Sequence, residues 1–160
     1  SEVAMSDVHS ILRDPRFIET GIAMHRLYDG SVSIIEEESG ERELYLIESG
    51  CVRIHERIEL EDQRHIQPGI CDLGAGEVFG ELSLYESGPR LATVVSIEPT
   101  EVLVFDAIAL VDYLESHPEF GYQVLKELFN ILTCRLRQTD CRLGSLFAWG
   151  LKVHGIERHL

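Results

Sequence analysis

The chain has 160 residues, enough for one domain with a sizeable hydrophobic core. Hydrophobic residues make up 44% and charged residues 26%, which is ordinary for a soluble globular protein, and no apolar run approaches the roughly 18 residues of a membrane-spanning helix. The formal net charge of −14 opposes binding to nucleic acid, whose backbone carries charge of the same sign.

The first two segments of the chain differ in their apolar pattern. Residues 1–29 are predicted to be helical, because apolar side chains recur at roughly helical spacing from Asp7 to about His25, with an interruption at Pro15. From 30 to 105, short segments rich in Val, Ile, Leu and Tyr are separated by Gly, Pro and charged pairs. The predicted strands are 31–36, 43–48, 51–58, 64–70, 92–97 and 101–105. Strands of this length and spacing predict an antiparallel jelly-roll β-barrel.

The C-terminal part, 106–148, is predicted to form helices, followed by a tail at 149–160. A short helix at 107–115 precedes a second helix with Pro118 in its first turn, where proline is tolerated. Residues on the second helix recur at alternating steps of three and four, and all of them except Thr139 are apolar: Phe129, Leu132, Leu136, Thr139, Leu143 and Leu146. This seam predicts a homodimer, and the alternative is an amphipathic helix that lies on the barrel. The residues after 148 are too few for a recognition helix, so we expect no DNA-binding domain within this chain.

One segment, 76–94, carries a specific motif. It contains Phe-Gly-Glu-Leu at 79–82, then Arg90, then Ala-Thr-Val at 92–94. This pattern resembles the phosphate-binding cassette, here 79–93, of cyclic nucleotide-binding domains, the family of the bacterial catabolite activator and of protein kinase A regulatory subunits. The Tyr-x-Ile-x-x-Gly-x-Val pattern at 45–52 is similar to the family's preceding hairpin. The resemblance implies a cyclic nucleotide ligand and a regulatory protein. No pair of nucleophile and base stands out in the sequence, so we expect that the protein is not an enzyme.

The residue types in the cassette suit that ligand. Arg90 offers a planar fork of donors for phosphate oxygens, and Glu81 is an acceptor suited to a ribose hydroxyl. Gly80 lets the backbone approach the ligand, and Leu82 and Ser83 continue a short helix whose free N–H groups attract an anion. The alternative is a surface salt bridge between Glu81 and Arg90 beside a turn.

The resemblance also implies a contact with the base from the second C-terminal helix. Thr139 lies where the family places a threonine that contacts adenine, and Asp140 replaces the adjacent serine. Leu91 and Ala92 follow the cassette arginine, where the family usually has a small residue and then alanine. Leu91 offers no hydroxyl to guanine, which favours cyclic AMP, whereas the Asp140 carboxylate could accept from either base. Binding is then expected to order the cassette and the helix together.

Two other functions remain open. The bulk of Leu91 and the acidic charge are compatible with an interaction module that has lost nucleotide binding. A cupin-like metal enzyme would share the barrel, but His25, His55 and His65 lack the His-x-His spacing of such sites. The four cysteines lack Cys-x-x-Cys spacing, and no signal-peptide pattern precedes the helices, so we expect reduced thiols, no metal and a cytoplasmic location.

Overall fold

The computed structural model describes residues 8–35, 42–55, 58–59, 65–66, 69–85 and 93–154, with side chains except at 58–59, 65–66, 69–70 and 139–154. Contacts divide the chain into two units, Ser1–Val124 and Leu125–Leu160. In the described part of the chain no helix combines the length and apolar character that crossing a membrane requires.

The N-terminal segment is helical for only part of its predicted length. Helices α1 (Val8–Leu12) and α2 (Pro15–Glu19) are followed by strand β1 (Ala23–Tyr28). The Asp14 carboxylate caps α2 by accepting from the Arg16 N–H at 3.0 Å. The prediction of helix up to residue 29 is therefore wrong, because the chain turns after α2 and residues 23–28 pair with a distant strand. Pairing of this kind overrides a weak local pattern.

Within the described residues, nine further strands join β1 to form two four-stranded sheets and one short pair. They are β2 (Ser33–Ile35), β3 (Glu43–Ser49), β4 (Cys51–His55), β5 (Ile58–Glu59), β6 (His65–Ile66), β7 (Gly69–Gly74), β8 (Val78–Phe79), β9 (Thr93–Ser96) and β10 (Thr100–Asp106). The strand orders are β1-β10-β3-β8, β2-β9-β4-β7 and β5-β6, and every recorded pairing is antiparallel. The predicted jelly-roll architecture is confirmed.

The hydrophobic core lies between the two larger sheets. Both sheets contribute buried side chains to it, including Tyr45 and Phe79 from the first and Val52 and Val94 from the second. The rings of Tyr45 and Phe79 are parallel, with centroids 4.7 Å apart. This stack fixes the end of β8, from which the motif segment continues.

The C-terminal helices follow β10 directly. Asp106 caps helix α3 (Ala107–Ser116) by accepting from the Ala109 N–H at 2.8 Å. Helix α4 (Pro118–His154) begins with proline in its first turn, as predicted, and continues six residues beyond the predicted end at 148. The predicted boundary between helix and tail at 148 is therefore wrong. Gly150 lowers the stability of the helix, but the helix continues through it.

Candidate functional site

The cassette begins with a sharp turn on a buried support. Phe79 is buried at the end of β8, and Gly80 has a φ of +81°, a left-handed conformation that glycine adopts without strain. A short 3₁₀ helix, Glu81–Ser83, follows at once. The short helix predicted after Gly80 is therefore present, and the glycine is required by the turn.

The predicted site residues fall into three groups. Gly80, Glu81, Leu82 and Ser83 lie together in the turn and the 3₁₀ helix. The second group, Arg90, Leu91 and Ala92, lies outside the described residues. The third group, Thr139 and Asp140, lies on α4 in the second unit. At these two positions only the backbone is described.

The four described site residues differ in what they offer to a ligand. The Glu81 side chain is half-buried, Leu82 is 52% exposed and Ser83 is 7% exposed. The Ser83 N–H donates to the Gly80 carbonyl oxygen at 3.1 Å. The 3₁₀ helix therefore uses this N–H itself, and the attraction of an anion to the start of the helix stays a prediction.

One residue that the sequence did not single out contacts the 3₁₀ helix. The Arg42 guanidinium donates from Nε to the Ser83 carbonyl oxygen at 3.1 Å and from Nη2 to the Leu84 carbonyl oxygen at 2.8 Å. Carbonyls at a helix end lack partners within the helix, so an arginine fork suits them. A lone arginine before a strand gives no sequence signal for a contact 41 residues away.

A polar network supports the aromatic stack under the motif. The Tyr45 hydroxyl donates to the Glu43 carboxylate at 2.8 Å, and Arg26 pairs with the same carboxylate at 3.3 Å. Arg26 also donates to the Tyr28 hydroxyl at 3.1 Å, and this hydrogen bond raises the pKa of the guanidinium above its ordinary value. The network gives the buried Tyr45 hydroxyl an acceptor, and it therefore holds the ring that stacks on Phe79.

The end of the described motif lies near α3. Burial raises the pKa of the Tyr85 hydroxyl above its ordinary value, and the charge of Glu115 on α3 adds to this effect. The Tyr85 side chain is nevertheless more than half exposed.

The histidines considered for a metal site are separate from one another. His25 Nδ1 lies 3.5 Å from the Glu101 carboxylate on the exposed face of β1 and β10, and His55 is half-buried on β4. The His65 side chain is outside the described part. Among the residues whose side chains are described, no three His, Cys, Asp or Glu groups are placed to hold a metal ion.

A comparison with protein-family models gives the family. Residues 24–117, more than half of the chain, match the model of the cyclic nucleotide-binding domain. The chain belongs to the cyclic nucleotide-binding domain family. The matched range contains the β-strands from β2 to β10 and the whole motif segment, so the resemblance found in the sequence is confirmed.

Two curated relatives of this cyclic nucleotide-binding domain have names that refer to cyclic AMP. It is 34% identical over 117 residues to the CRP-like cAMP-activated global transcriptional regulator of Mycobacterium tuberculosis, a match that covers 73% of this chain and 48% of the relative. It is 36% identical over 124 residues to the Cyclic AMP receptor protein of Thermus thermophilus, covering 76% of this chain and 52% of the relative. The chain therefore spans about half the length of the curated relatives it matches.

Solved structures agree with the fold. The Thermus thermophilus Catabolite Activator Protein has a TM-score of 0.65 at 28% identity, covering 88% of this chain and 62% of that one. A cyclic nucleotide-binding domain from Methylobacillus flagellatus has a TM-score of 0.73 at 24% identity, covering 88% and 83% of the two chains. The second likeness supports the jelly-roll fold alone.

Proposed function

We propose that this domain is a cytoplasmic sensor that binds a cyclic purine nucleotide, cyclic AMP in preference to cyclic GMP, and regulates a partner without catalysing a reaction. The observation that carries the proposal is the family match over 24–117, which contains the complete cassette pattern. The turn at Gly80 and the 3₁₀ helix on buried Phe79 support it, because they supply a formed scaffold for the first half of that pattern.

The two charged residues of the cassette have complementary roles in this proposal. Arg90 binds the cyclic phosphodiester through two parallel hydrogen bonds, and Glu81 accepts from the ribose 2′-hydroxyl. The half-buried position of Glu81 at the start of the 3₁₀ helix supports its role, since partial burial strengthens a hydrogen bond to a carboxylate.

Calorimetric titration of the wild type and Arg90→Ala with both nucleotides tests the proposal. Removing one partner of a buried charge-assisted pair costs on the order of 2–5 kcal/mol, so Arg90→Ala should weaken binding at least ~30-fold. Arg53→Ala is the matched control, because Arg53 is an exposed arginine on β4 that lies outside the cassette and pairs with Asp72 at 2.8 Å. Equal affinities for the wild type and Arg90→Ala would refute the role of Arg90. A folded wild type that binds neither nucleotide at millimolar concentration would favour the interaction module instead.

The preference for cyclic AMP over cyclic GMP is tested by repeating the same titration with Asp140→Ala. Leu91 offers no hydroxyl to guanine, and Thr139 is proposed to contact adenine, so we expect cyclic AMP to bind more tightly in both proteins. A bidentate carboxylate contact to guanine discriminates bases by ~1–3 kcal/mol, enough to reverse the preference. If cyclic GMP binds more tightly to the wild type and loses this advantage in Asp140→Ala, then Asp140 sets selectivity and the preference for cyclic AMP is wrong.

We also propose that α4 forms a homodimer interface, with the seam of Phe129, Leu132, Leu136, Leu143 and Leu146. Phe129 is 69% exposed and Leu136 is 63% exposed, although both are large apolar residues. Tyr122 and Leu125 continue this exposed row toward the start of α4 at the same alternating spacing. Exposed apolar residues in a heptad pattern favour packing against a second helix.

A further inference from the structure

We propose that Arg42 is a positioning residue for nucleotide binding: its guanidinium holds the 3₁₀ helix where Glu81 can reach the ligand. This inference rests on the proposed function of the cassette. Arg42 lies just before β3 and outside the cassette, and it acts through the backbone of the 3₁₀ helix.

The contact is directed at the end of the helix. Two different nitrogens of Arg42 donate to two successive carbonyl oxygens, those of Ser83 at 3.1 Å and Leu84 at 2.8 Å. Ser83 and Leu84 are only 7% and 3% exposed, so water is a poor substitute for the arginine. Hydrogen bonds from a charged donor to a buried acceptor are stronger than neutral ones, and a buried carbonyl that loses its donor is destabilised.

The backbone of Arg42 is itself held by a hydrogen bond from α3. Its carbonyl oxygen accepts from the N–H of Ala107, the first residue of α3, at 3.0 Å. Asp106 caps the same helix. Arg42 thus links the start of α3 through its backbone to the end of the 3₁₀ helix through its side chain.

The 3₁₀ helix depends on such outside support. It has three residues, and within it Ser83 donates to Gly80 and Leu84 donates to Glu81. A helix this short is not stable by its own hydrogen bonds. Without the Arg42 fork it samples other positions, and Glu81, one turn away, is then misplaced for part of the time. The apparent affinity equals the intrinsic affinity multiplied by the fraction of molecules that retain the competent arrangement.

The position of Arg42 predicts a signature that differs from that of a base contact. The two carbonyls that it contacts belong to the cassette, which binds the phosphate and ribose common to both nucleotides in the proposed function. Loss of Arg42 should therefore weaken cyclic AMP and cyclic GMP by the same factor and leave their ratio unchanged.

The binding experiment uses the full chain with Arg42→Gln, Arg42→Lys and the control Arg53→Gln. We expect Arg42→Gln to bind both nucleotides about tenfold more weakly, the change that follows if about a tenth of molecules keep the competent arrangement. Arg42→Lys should recover part of this loss, because an ammonium can donate to either carbonyl but does not present a planar fork to both. Arg53→Gln should bind as the wild type does.

Hydrogen exchange in the ligand-free protein gives a readout that is independent of the nucleotide. In Arg42→Gln the amides of Ser83 and Leu84 should exchange faster, while those of β3 and β10 keep their wild-type rates. Unchanged exchange at Ser83 and Leu84, an equal increase in β3 and β10, or a change in the nucleotide ratio would each overturn the positioning role. A wild type that binds neither nucleotide refutes the proposed function and the positioning role together, whereas unchanged exchange refutes the positioning role alone.

Discussion

Gly50, in the hairpin between β3 and β4, should be among the least replaceable residues of the barrel. Its φ is +96°, and a Cβ built on it would lie 2.5 Å from the Pro99 carbonyl oxygen and 2.7 Å from the Thr100 Cα. These are backbone atoms, so relief requires movement of the strand that begins at Thr100. Gly76 is a matched control, since its φ is +87° and a Cβ there would meet no atom within 4 Å.

The two alanine variants separate backbone strain from steric overlap. The left-handed conformation costs a residue with a Cβ about 1–2 kcal/mol, which applies to both variants. Overpacking against fixed atoms adds about 1–3 kcal/mol, which applies only to Gly50→Ala. The overlap also involves the Thr100 hydroxyl, 2.5 Å from the Cβ position, which accepts from the Cys51 N–H at 3.3 Å. Gly50→Ala should therefore lose about 2–5 kcal/mol of unfolding free energy and Gly76→Ala about 1–2 kcal/mol.

Urea unfolding and thermal melting measure this difference. For a domain of this size each kcal/mol lowers the melting temperature by roughly 2–4 °C, so Gly50→Ala should melt roughly 2–12 °C below Gly76→Ala. Equal destabilisation of the two variants, or a larger loss in Gly76→Ala, would refute the steric argument.

Two further predictions concern the proposed interface and an exposed ion pair. Leu136→Glu should shift the protein toward monomer in sedimentation, because a charge opposes burial in the seam. The control Gln138→Glu adds the same charge at an exposed position two residues away and should leave the sedimentation unchanged. A wild type that is monomeric at high micromolar concentration would contradict the dimer. The hydrogen bond from Arg53 lowers the pKa of Asp72 below its ordinary value of 3.8, so the stability that this pair contributes is present above that pH and lost as the pH falls through the lowered pKa. Asp72→Asn should therefore melt below the wild type at neutral pH by a margin that closes under about pH 4, and a margin that is constant with pH would contradict this assignment.

Much of the barrel was predictable because each strand carries its own signal. The short apolar segments that predict β3, β4, β9 and β10 alternate with turn residues, and the structure forms strands there. The segment that becomes β1, Met-His-Arg-Leu-Tyr after Ala23, has no clear alternation of apolar and polar residues. It is a strand because β10 offers it an antiparallel partner from Ala23↔Phe105 to Tyr28↔Thr100, which local reasoning cannot detect.

For the candidate site, the sequence by itself determined the family and the residue types, because a cassette is a local motif in which Gly80, Glu81 and Arg90 stand at set spacings. The left-handed turn at Gly80 follows from the same local information, since only glycine adopts it without strain. Only the tertiary structure decided that Arg42 reaches the 3₁₀ helix and that the Tyr45 ring lies under its start. Contacts between segments about 40 residues apart depend on how the sheets pack, and the spacing of residues along the chain does not encode that packing.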